Sequence, residues 1–270
     1  MPTILALETS SELASCALLH DGRLTFRSAD GVRTHSASLL PMVQELLAEA
    51  GIALAACDAI AYGAGPGSFT GVRTACGIAQ GLGFGAGLPL VPVVTLDAMA
   101  LACHERHGAT EVLAVLDARM NEVYWAQYRF DGETPVAVVP PMLTAPADVA
   151  PGWTEAQGMP QACGNGFTAY PEAFAGRSFA TAADTTVLPH AAQVARLGAA
   201  GFAAGQGVPA ADAQPLYLRN KVAYTKAERA VINDAKAAAV AAEPAPGVAS
   251  GLTSGVVSGV ASGVASGVAS

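Results

Sequence analysis

Two carboxylates stand where strands turn. Glu8 follows the apolar run Ile4-Leu5-Ala6-Leu7 and precedes Thr9-Ser10-Ser11, after which Ala14 to Leu19 reads as a second strand. Asp117 has the same setting, after Val112-Leu113-Ala114-Val115-Leu116 and before Arg119 and the strand-like run Val123 to Tyr128. Each is an acid at the turn of a hairpin. The third chemical feature is the stretch Tyr62-Gly63-Ala64-Gly65-Pro66-Gly67-Ser68-Phe69-Thr70-Gly71-Val72-Arg73-Thr74. Its glycines permit a tight turn, Pro66 stiffens it, and Ser68 or Thr70 can cap the helix that follows. Amides at that helix N-terminus could cradle a phosphate or a carboxylate. The alternative is a strand-to-helix elbow needed only for packing.

Familiar phosphate loops do not fit these residues. A Walker loop needs a Lys-Ser/Thr pair closing the glycines, and the dinucleotide fingerprint needs G-x-G-x-x-G. The nucleophile elbow G-x-S-x-G fails because Pro66 stands two positions before Ser68. His104 and His107 have i,i+3 spacing, yet they sit at a helix end beside Gly108 with no third ligand evident, where surface histidines suit the helix dipole. His104-Glu105-Arg106-His107 is one residue short of the H-E-x-x-H protease motif. The five cysteines, Cys16, Cys57, Cys76, Cys103 and Cys163, lack C-x-x-C spacing and read as reduced, mostly buried thiols. No Ser, His or Cys has a base at identifiable spacing for nucleophilic catalysis.

The elements that must position these groups alternate between strand and helix. Ser38 to Ala50 places Leu39, Leu40, Val43, Leu46, Leu47 and Ala50 at helical spacing, with Ser36 or Ser38 as cap and Pro41 in the first turn. Ala59 to Tyr62 is a strand, Thr70 to Gly85 a helix, Leu90 to Val94 a strand and Leu96 to His104 a helix. The pattern predicts an α/β fold, and the two acid-bearing hairpins predict two related halves. Interior glycines cost the Thr70 to Gly85 helix about 0.5–1 kcal/mol each relative to alanine, so packing must stabilise it. Small residues let another backbone approach. The Ser38 to Ala50 and Thr70 to Gly85 helices therefore form either a partner surface or simply a face buried on the sheet.

Of the 270 residues, the last segment is unlike the rest. From Gly247 a four-residue unit, as in Gly259-Val260-Ala261-Ser262, repeats to Ser270 without a charge, which predicts a disordered tail. An alanine-rich linker ending in Glu243-Pro244-Ala245-Pro246 precedes it, so the folded part is expected to stop near Lys226 to Lys236. Nothing resembles a membrane span or a secretory signal, which predicts a cytoplasmic address. The net charge of −8 disfavours a protein that grips nucleic acid alone. Trp125 and Tyr124 then read as core and edge packing rather than a base-stacking platform.

Taken in order, several runs resemble the bacterial TsaB (YeaZ) family: Leu5-Ala6-Leu7-Glu8-Thr9-Ser10, His35-Ser36 with Leu39-Leu40-Pro41, Gly65-Pro66-Gly67-Ser68-Phe69-Thr70-Gly71 with Arg73, Asp117-Ala118-Arg119 with Glu122-Val123-Tyr124, and Leu216-Tyr217-Leu218-Arg219. The glycine-loop run is the most specific, and the match spans nearly all the folded chain. The resemblance implies the duplicated fold of actin, sugar kinases and heat-shock ATPases in two lobes, 1–108 and 109–225, followed by the linker and tail at 226–270. It implies a role in making threonylcarbamoyladenosine next to the anticodon of tRNAs reading codons that begin with A. It further implies a non-catalytic subunit, without independent activity, that heterodimerises with the related catalytic TsaD and is joined by the ATPase TsaE. tRNA would then be met indirectly, through the complex.

Residue by residue, the resemblance implies more. TsaD-type proteins carry an H-x-x-x-H metal pair where this chain reads Thr95-Leu96-Asp97-Ala98-Met99-Ala100. Acids ending the two hairpin strands organise magnesium in active members of the fold, which makes Glu8, Thr9, Ser68 and Asp117 candidates for residual nucleotide binding. Arg119 fills a turn where an active ATPase favours glycine; it would crowd the phosphate path and pair with an acid or the partner. No cofactor is then required by this chain, ATP and magnesium being used by the complex. The partner interface is placed at Leu39, Val43, Leu46, Thr70, Arg73, Thr74, Ala75, Gly77 and Ile78, a face that a homodimer could share. Arg219 and Lys221 close the folded part on a solvated strand end or face tRNA or an acidic partner. The rival reading is a small-molecule kinase or ATPase using Glu8, Thr9, Ser68 and Asp117.

Overall fold

The computed structural model describes residues 1–30, 35–154 and 158–218, which lie within one compact unit, Met1–Val222. The side chains of Asp30, His35 and Ser36 are outside the described set, as are Arg219, Asn220, Lys221 and the predicted linker and tail.

The chain opens with three antiparallel strands, β1 (Ile4–Glu8), β2 (Leu13–His20) and β3 (Arg23–Asp30), then α1 (His35–Ala50). Next come β4 (Ala59–Gly65), α2 (Phe69–Ala86), β5 (Leu90–Val94) and α3 (Thr95–His107). The plan restarts with β6 (Glu111–Arg119), β7 (Glu122–Asp131) and β8 (Thr134–Thr144), followed by β9 (Gln161–Cys163). Two short helices, α4 (Gly166–Ala169) and α5 (Pro171–Phe174), lead to α6 (Ala191–Ala203). The first sheet has the order β3-β2-β1-β4-β5 and the second β8-β7-β6-β9. In each, the first strand is flanked by its antiparallel hairpin partner and by a parallel strand, so the two halves repeat one topology.

Because side chains alternate across a strand, β1 is buried on both faces. Leu5 and Leu7 face α1 and α2, packing with Leu39, Val43, Leu46 and Cys76. Ile4 and Ala6 face the other way, onto Val194, Ala195 and Ala199 of α6. The α6 N-terminus is tied to β2, where Ser15 Oγ accepts from the Ala191 amide at 2.9 Å. Gly198 lets the helix settle on β4, since a β-carbon there would run into Ala61. On the second sheet, Val112, Ala114 and Leu116 pack under Leu96, Met99 and Cys103 of α3. Leu113, Val115 and Trp125 face Phe167, Phe174 and Phe179 on the outer side. So the helix that ends the first half covers the second sheet, and the helix that ends the second half covers the first.

Helix α1 differs from expectation at its start. It begins at His35, so Ser36 and Ser38 lie inside it rather than at its cap, and Pro41 sits in its second turn, at an exposed position. The helix α2 follows the sequence closely: Ser68 is its N-cap and Gly87, at φ +70°, its left-handed stop. All five cysteines are buried and free. Among the described residues no helix is long and apolar enough to cross a membrane.

Candidate functional site

The two acid-bearing hairpins and the glycine loop meet at a cleft of about 250 Å³ between the sheets. Ser10, Ser68, Asp117, Arg119 and Asn165 line it with polar groups, and Phe69, Val72, Tyr124 and Leu216 with apolar ones. Of the four candidate nucleotide residues, Ser68 and Asp117 reach this cleft, whereas Glu8 and Thr9 do not line it.

Glu8 is fully buried at the end of β1. Its Oε1 accepts from the Ser10 amide at 2.5 Å, while Oε2 has no hydrogen-bond partner and faces Gly63 on the neighbouring strand. Burial raises its pKa, so the neutral acid is favoured. Thr9 is also buried, and its hydroxyl donates to the Gly71 carbonyl at 2.6 Å. Magnesium coordination by Glu8 and nucleotide contact by Thr9 are therefore corrected: one carboxyl is sealed between strands, and one hydroxyl fastens a hairpin to a helix.

Asp117 lines the cleft, but its carboxylate is already engaged. Oδ1 accepts from the Arg119 amide at 2.8 Å and from the Tyr170 hydroxyl at 2.9 Å, and Oδ2 lies 3.0 Å from an Arg119 guanidinium nitrogen. Its side chain is only 7% exposed, against 80% for that of Arg119. The main chain makes this geometry possible: Arg119, Met120 and Asn121 all have φ near +60°, and the ladder is bulged between Asp117 and Arg119. The Asp117 amide donates to Asn165 Oδ1 at 2.9 Å.

The motif glycines are each required by a neighbour. A β-carbon at position 63 would strike the Glu8 carboxyl, and one at position 71 the Thr9 carbonyl. At position 65, where φ is +110°, it would lie 2.8 Å from the Leu216 carbonyl, and at position 67, 2.6 Å from Ser10 Cβ. The Ser68 amide donates to Ser10 O at 2.7 Å, and the Gly71 amide to Ser68 Oγ at 3.4 Å. The elbow is thus built for close packing, with the Ser68 and Gly71 amides turned to internal partners. Its counterpart in the second half is Gly164, at φ +112° after β9, where a β-carbon would meet the Val115 carbonyl. Taken together, these contacts do not fit magnesium nucleotide: one acid is buried, the other is clamped, and Arg119 stands in the turn.

The stretch Thr95 to Ala100 is also devoted to packing. Thr95 donates to Ser10 Oγ at 3.4 Å, and Asp97 accepts from the Tyr128 hydroxyl at 2.6 Å. Desolvation pushes Asp97 up to about 6, against the opposing effect of that hydrogen bond. The two histidines take separate partners: His104 donates from Nδ1 to the Ala109 carbonyl at 2.8 Å and stacks on Phe130, while His107 Nε2 lies 2.9 Å from Asp184.

The candidate interface residues divide sharply by exposure. Leu39, Val43, Leu46 and Ala75 are buried in the core, so their assignment to a partner surface is corrected; the periodicity that singled them out is that of the sheet-facing stripe. Ile78 is half-buried against the same core. Thr70, Arg73 and Gly77 are exposed, and Thr74 is half-buried with its hydroxyl donating to Thr70 O at 2.9 Å. Beyond them, Gly77, Gly81 and Gly85 form an exposed row with open space in place of side chains, beside Phe84, which is 83% exposed. Leu40, Phe69, Leu216 and Tyr217 add further exposed apolar surface on α1, α2 and the segment after α6. The sequence marked Leu216-Tyr217-Leu218 as a run near the end of the folded part, without showing what it is fastened to. Tyr62 Oη donates to Gln214 O at 3.0 Å, Gln80 Nε2 to Ala213 O at 3.0 Å, and the Leu216 amide to Ala64 O at 2.7 Å, strapping residues 213–218 across α2.

Two sheets of repeated topology, joined at a cleft between acid-bearing hairpins, define the duplicated α/β fold shared by actin, sugar kinases and heat-shock ATPases. Residues 28–265 match the family model for TsaD, tRNA N6-adenosine threonylcarbamoyltransferase. The chain is 40% identical over 229 residues to the tRNA threonylcarbamoyladenosine biosynthesis protein TsaB of Escherichia coli K12, covering 83% of this chain and 97% of that one. It is 54% identical over 125 residues to the Haemophilus influenzae protein of the same name, 46% of this chain and 53% of that one. The structure of YeaZ from Pseudomonas aeruginosa superposes with a TM-score of 0.75 at 42% identity, covering 81% of this chain and 100% of that one. The chain belongs to the TsaB (YeaZ) family.

Proposed function

We propose that this chain is a non-catalytic scaffold subunit in the formation of threonylcarbamoyladenosine on tRNA, working in the cytoplasm as a heterodimer with a TsaD-type catalytic paralogue. The observation that carries the proposal is the state of the two acids: Glu8 is sealed between strands and Asp117 is clamped by Arg119 and Tyr170, in a fold whose active members need such acids free. The names of its relatives supply the pathway. The TsaD family match gives the paralogue the same fold, so two related subunits can meet through equivalent helices. In this chain the helices offered are α1 and α2, where Leu40 and Phe84 are exposed and Gly77, Gly81 and Gly85 leave open space. A TsaE-type ATPase completes the complex, ATP and magnesium act there, and tRNA is held by the assembly rather than by this acidic chain.

The test is size exclusion with light scattering of the chain alone and mixed with its own organism's TsaD-type paralogue, followed by a threonylcarbamoyl-transfer assay. A mixed complex, with transfer only when both are present, supports the scaffold. Magnesium-dependent nucleotide turnover by the isolated chain, without a complex, would favour the kinase or ATPase reading instead. Gly77→Arg is the informative variant, because position 77 is exposed and open, so it should block docking while the monomer stays folded.

A further inference from the structure

Arg73 is the sole charged residue between Phe69 and Ala86, and it is held unusually firmly for an exposed side chain. Its guanidinium carbon lies 3.6 Å from the centre of the Phe69 ring and 5.6 Å from that of Tyr217. Its Nε donates to the Tyr217 hydroxyl at 2.7 Å. Tyr217 is itself placed by the strap, which is anchored to Tyr62, Ala64 and Gln80. Among the described residues nothing takes the two terminal nitrogens of Arg73. A guanidinium stacked on one ring and tethered through Nε keeps those nitrogens as a preformed fork, the geometry that suits a carboxylate. The ordering that usually opposes binding by a long side chain is already complete in the free protein.

The surrounding charges point the same way. On α1, Glu49 and Glu45 are matched by Arg23 and Arg27 of β3. Among the described residues Arg73 has no such acid, and it stands at one end of an apolar face that runs past Gly77 and Gly81 to Phe84. An RNA-binding face would need a field of cations, which this helix lacks. We propose that Arg73, positioned by Phe69 and Tyr217, receives a carboxylate side chain of the protein that docks on α1 and α2, and that the strap Ala213–Leu218 is part of that docking surface. The proposal rests on the docking reading above and adds the chemistry by which the partner is recognised.

The test is titration calorimetry between the full chain and the TsaD-type paralogue at low and high salt, with the unfolding curve of each variant recorded. Arg73→Gln should weaken binding by about tenfold or more and flatten its salt dependence. Arg73→Lys should recover only part, because lysine lacks the fork. Tyr217→Phe should weaken binding several-fold with the charge unchanged. If Arg73→Gln binds like the parent while Gly77→Arg abolishes binding, the carboxylate proposal is overturned and the docking face stands. If Gly77→Arg also binds normally, or the parent pair does not associate, the docking reading fails and this proposal falls with it. Loss of affinity for unmodified tRNA in Arg73→Gln, with paralogue binding intact, would overturn it in favour of a phosphate contact.

Discussion

Glu8 and Gly63 are neighbours on adjacent parallel strands, and the carboxyl of the first occupies the space that a side chain at the second would need. The pairing Leu7↔Tyr62 brings the next residue of each strand alongside. A glycine of the Tyr62–Thr74 stretch is thereby explained by a buried acid, without a phosphate.

Gly63→Ala should accordingly destabilise the fold by about 1–3 kcal/mol, the usual range for forcing a methyl group into a filled core. Glu8→Ala should relieve part of that loss in the double variant, a coupling readable from a mutant cycle in denaturant unfolding. Glu8→Gln should fold, since the neutral acid is the favoured form at this position.

Stability should fall as pH rises through the range set by Asp97. Its folded value is raised from 3.8 to about 6, so the native state holds the proton after the unfolded chain has released it. The stabilisation is complete below about 4 and is lost by about 6, amounting to up to about 3 kcal/mol. Burial of Glu8 acts in the same direction. Asp97→Asn, which still accepts from Tyr128, should remove its share of this slope in unfolding curves recorded across pH.

The glycine row of α2 should trade stability against docking. Positions 77, 81 and 85 have room for a methyl group, so Gly81→Ala or Gly85→Ala should each raise monomer stability by about 0.5–1 kcal/mol. On the docking proposal the same changes should weaken association with the paralogue, because they thicken the proposed docking face. Calorimetric unfolding and light scattering on one set of variants would test both halves.

Ala75→Arg should behave differently from Gly77→Arg. Ala75 is buried, so a guanidinium there disrupts the packing of α2 on its sheet and should unfold the protein, whereas Gly77 faces outward. Circular dichroism distinguishes the two before any binding is measured.

Asp117→Asn should leave threonylcarbamoyl transfer by the mixed complex nearly unchanged while lowering fold stability by about 1–2 kcal/mol, as expected for weakening a charge-assisted contact within a turn. A large loss of transfer would return the carboxylate to a catalytic role.

Much of this was legible in the residues. The two hairpins, α2 with its Ser68 cap, β4, β5 and α3 all follow from apolar period and turn chemistry. The strands β3 and β8 escaped because edge strands carry polar and proline residues that blur the alternation, as in Arg23-Leu24-Thr25-Phe26 and Pro140-Pro141. Helix α6 is largely alanine and glycine, which leaves little periodic contrast. At the site, Arg119 was readable as a residue that pairs with an acid, but Tyr170 lies 53 positions from Asp117 and only folding brings them together. Likewise, helical spacing marked Leu39, Val43 and Leu46 as one stripe without telling which way it faces. Position 63 did carry a usable signal: glycine beside a strand-end acid on the paired strand.

The placement of α6 on the first sheet sets a delay during synthesis. When β5 leaves the ribosome, Ile4, Ala6, Ala61 and Val91 still lack the helix that will cover them. Roughly a hundred further residues must be made first, a wait of about 5–20 s at ordinary elongation rates. Throughout that interval an apolar sheet face stays open to chaperones or to misassembly with another nascent chain. Slow codons between β5 and α6 should therefore lower the soluble yield more than the same codons placed after residue 218.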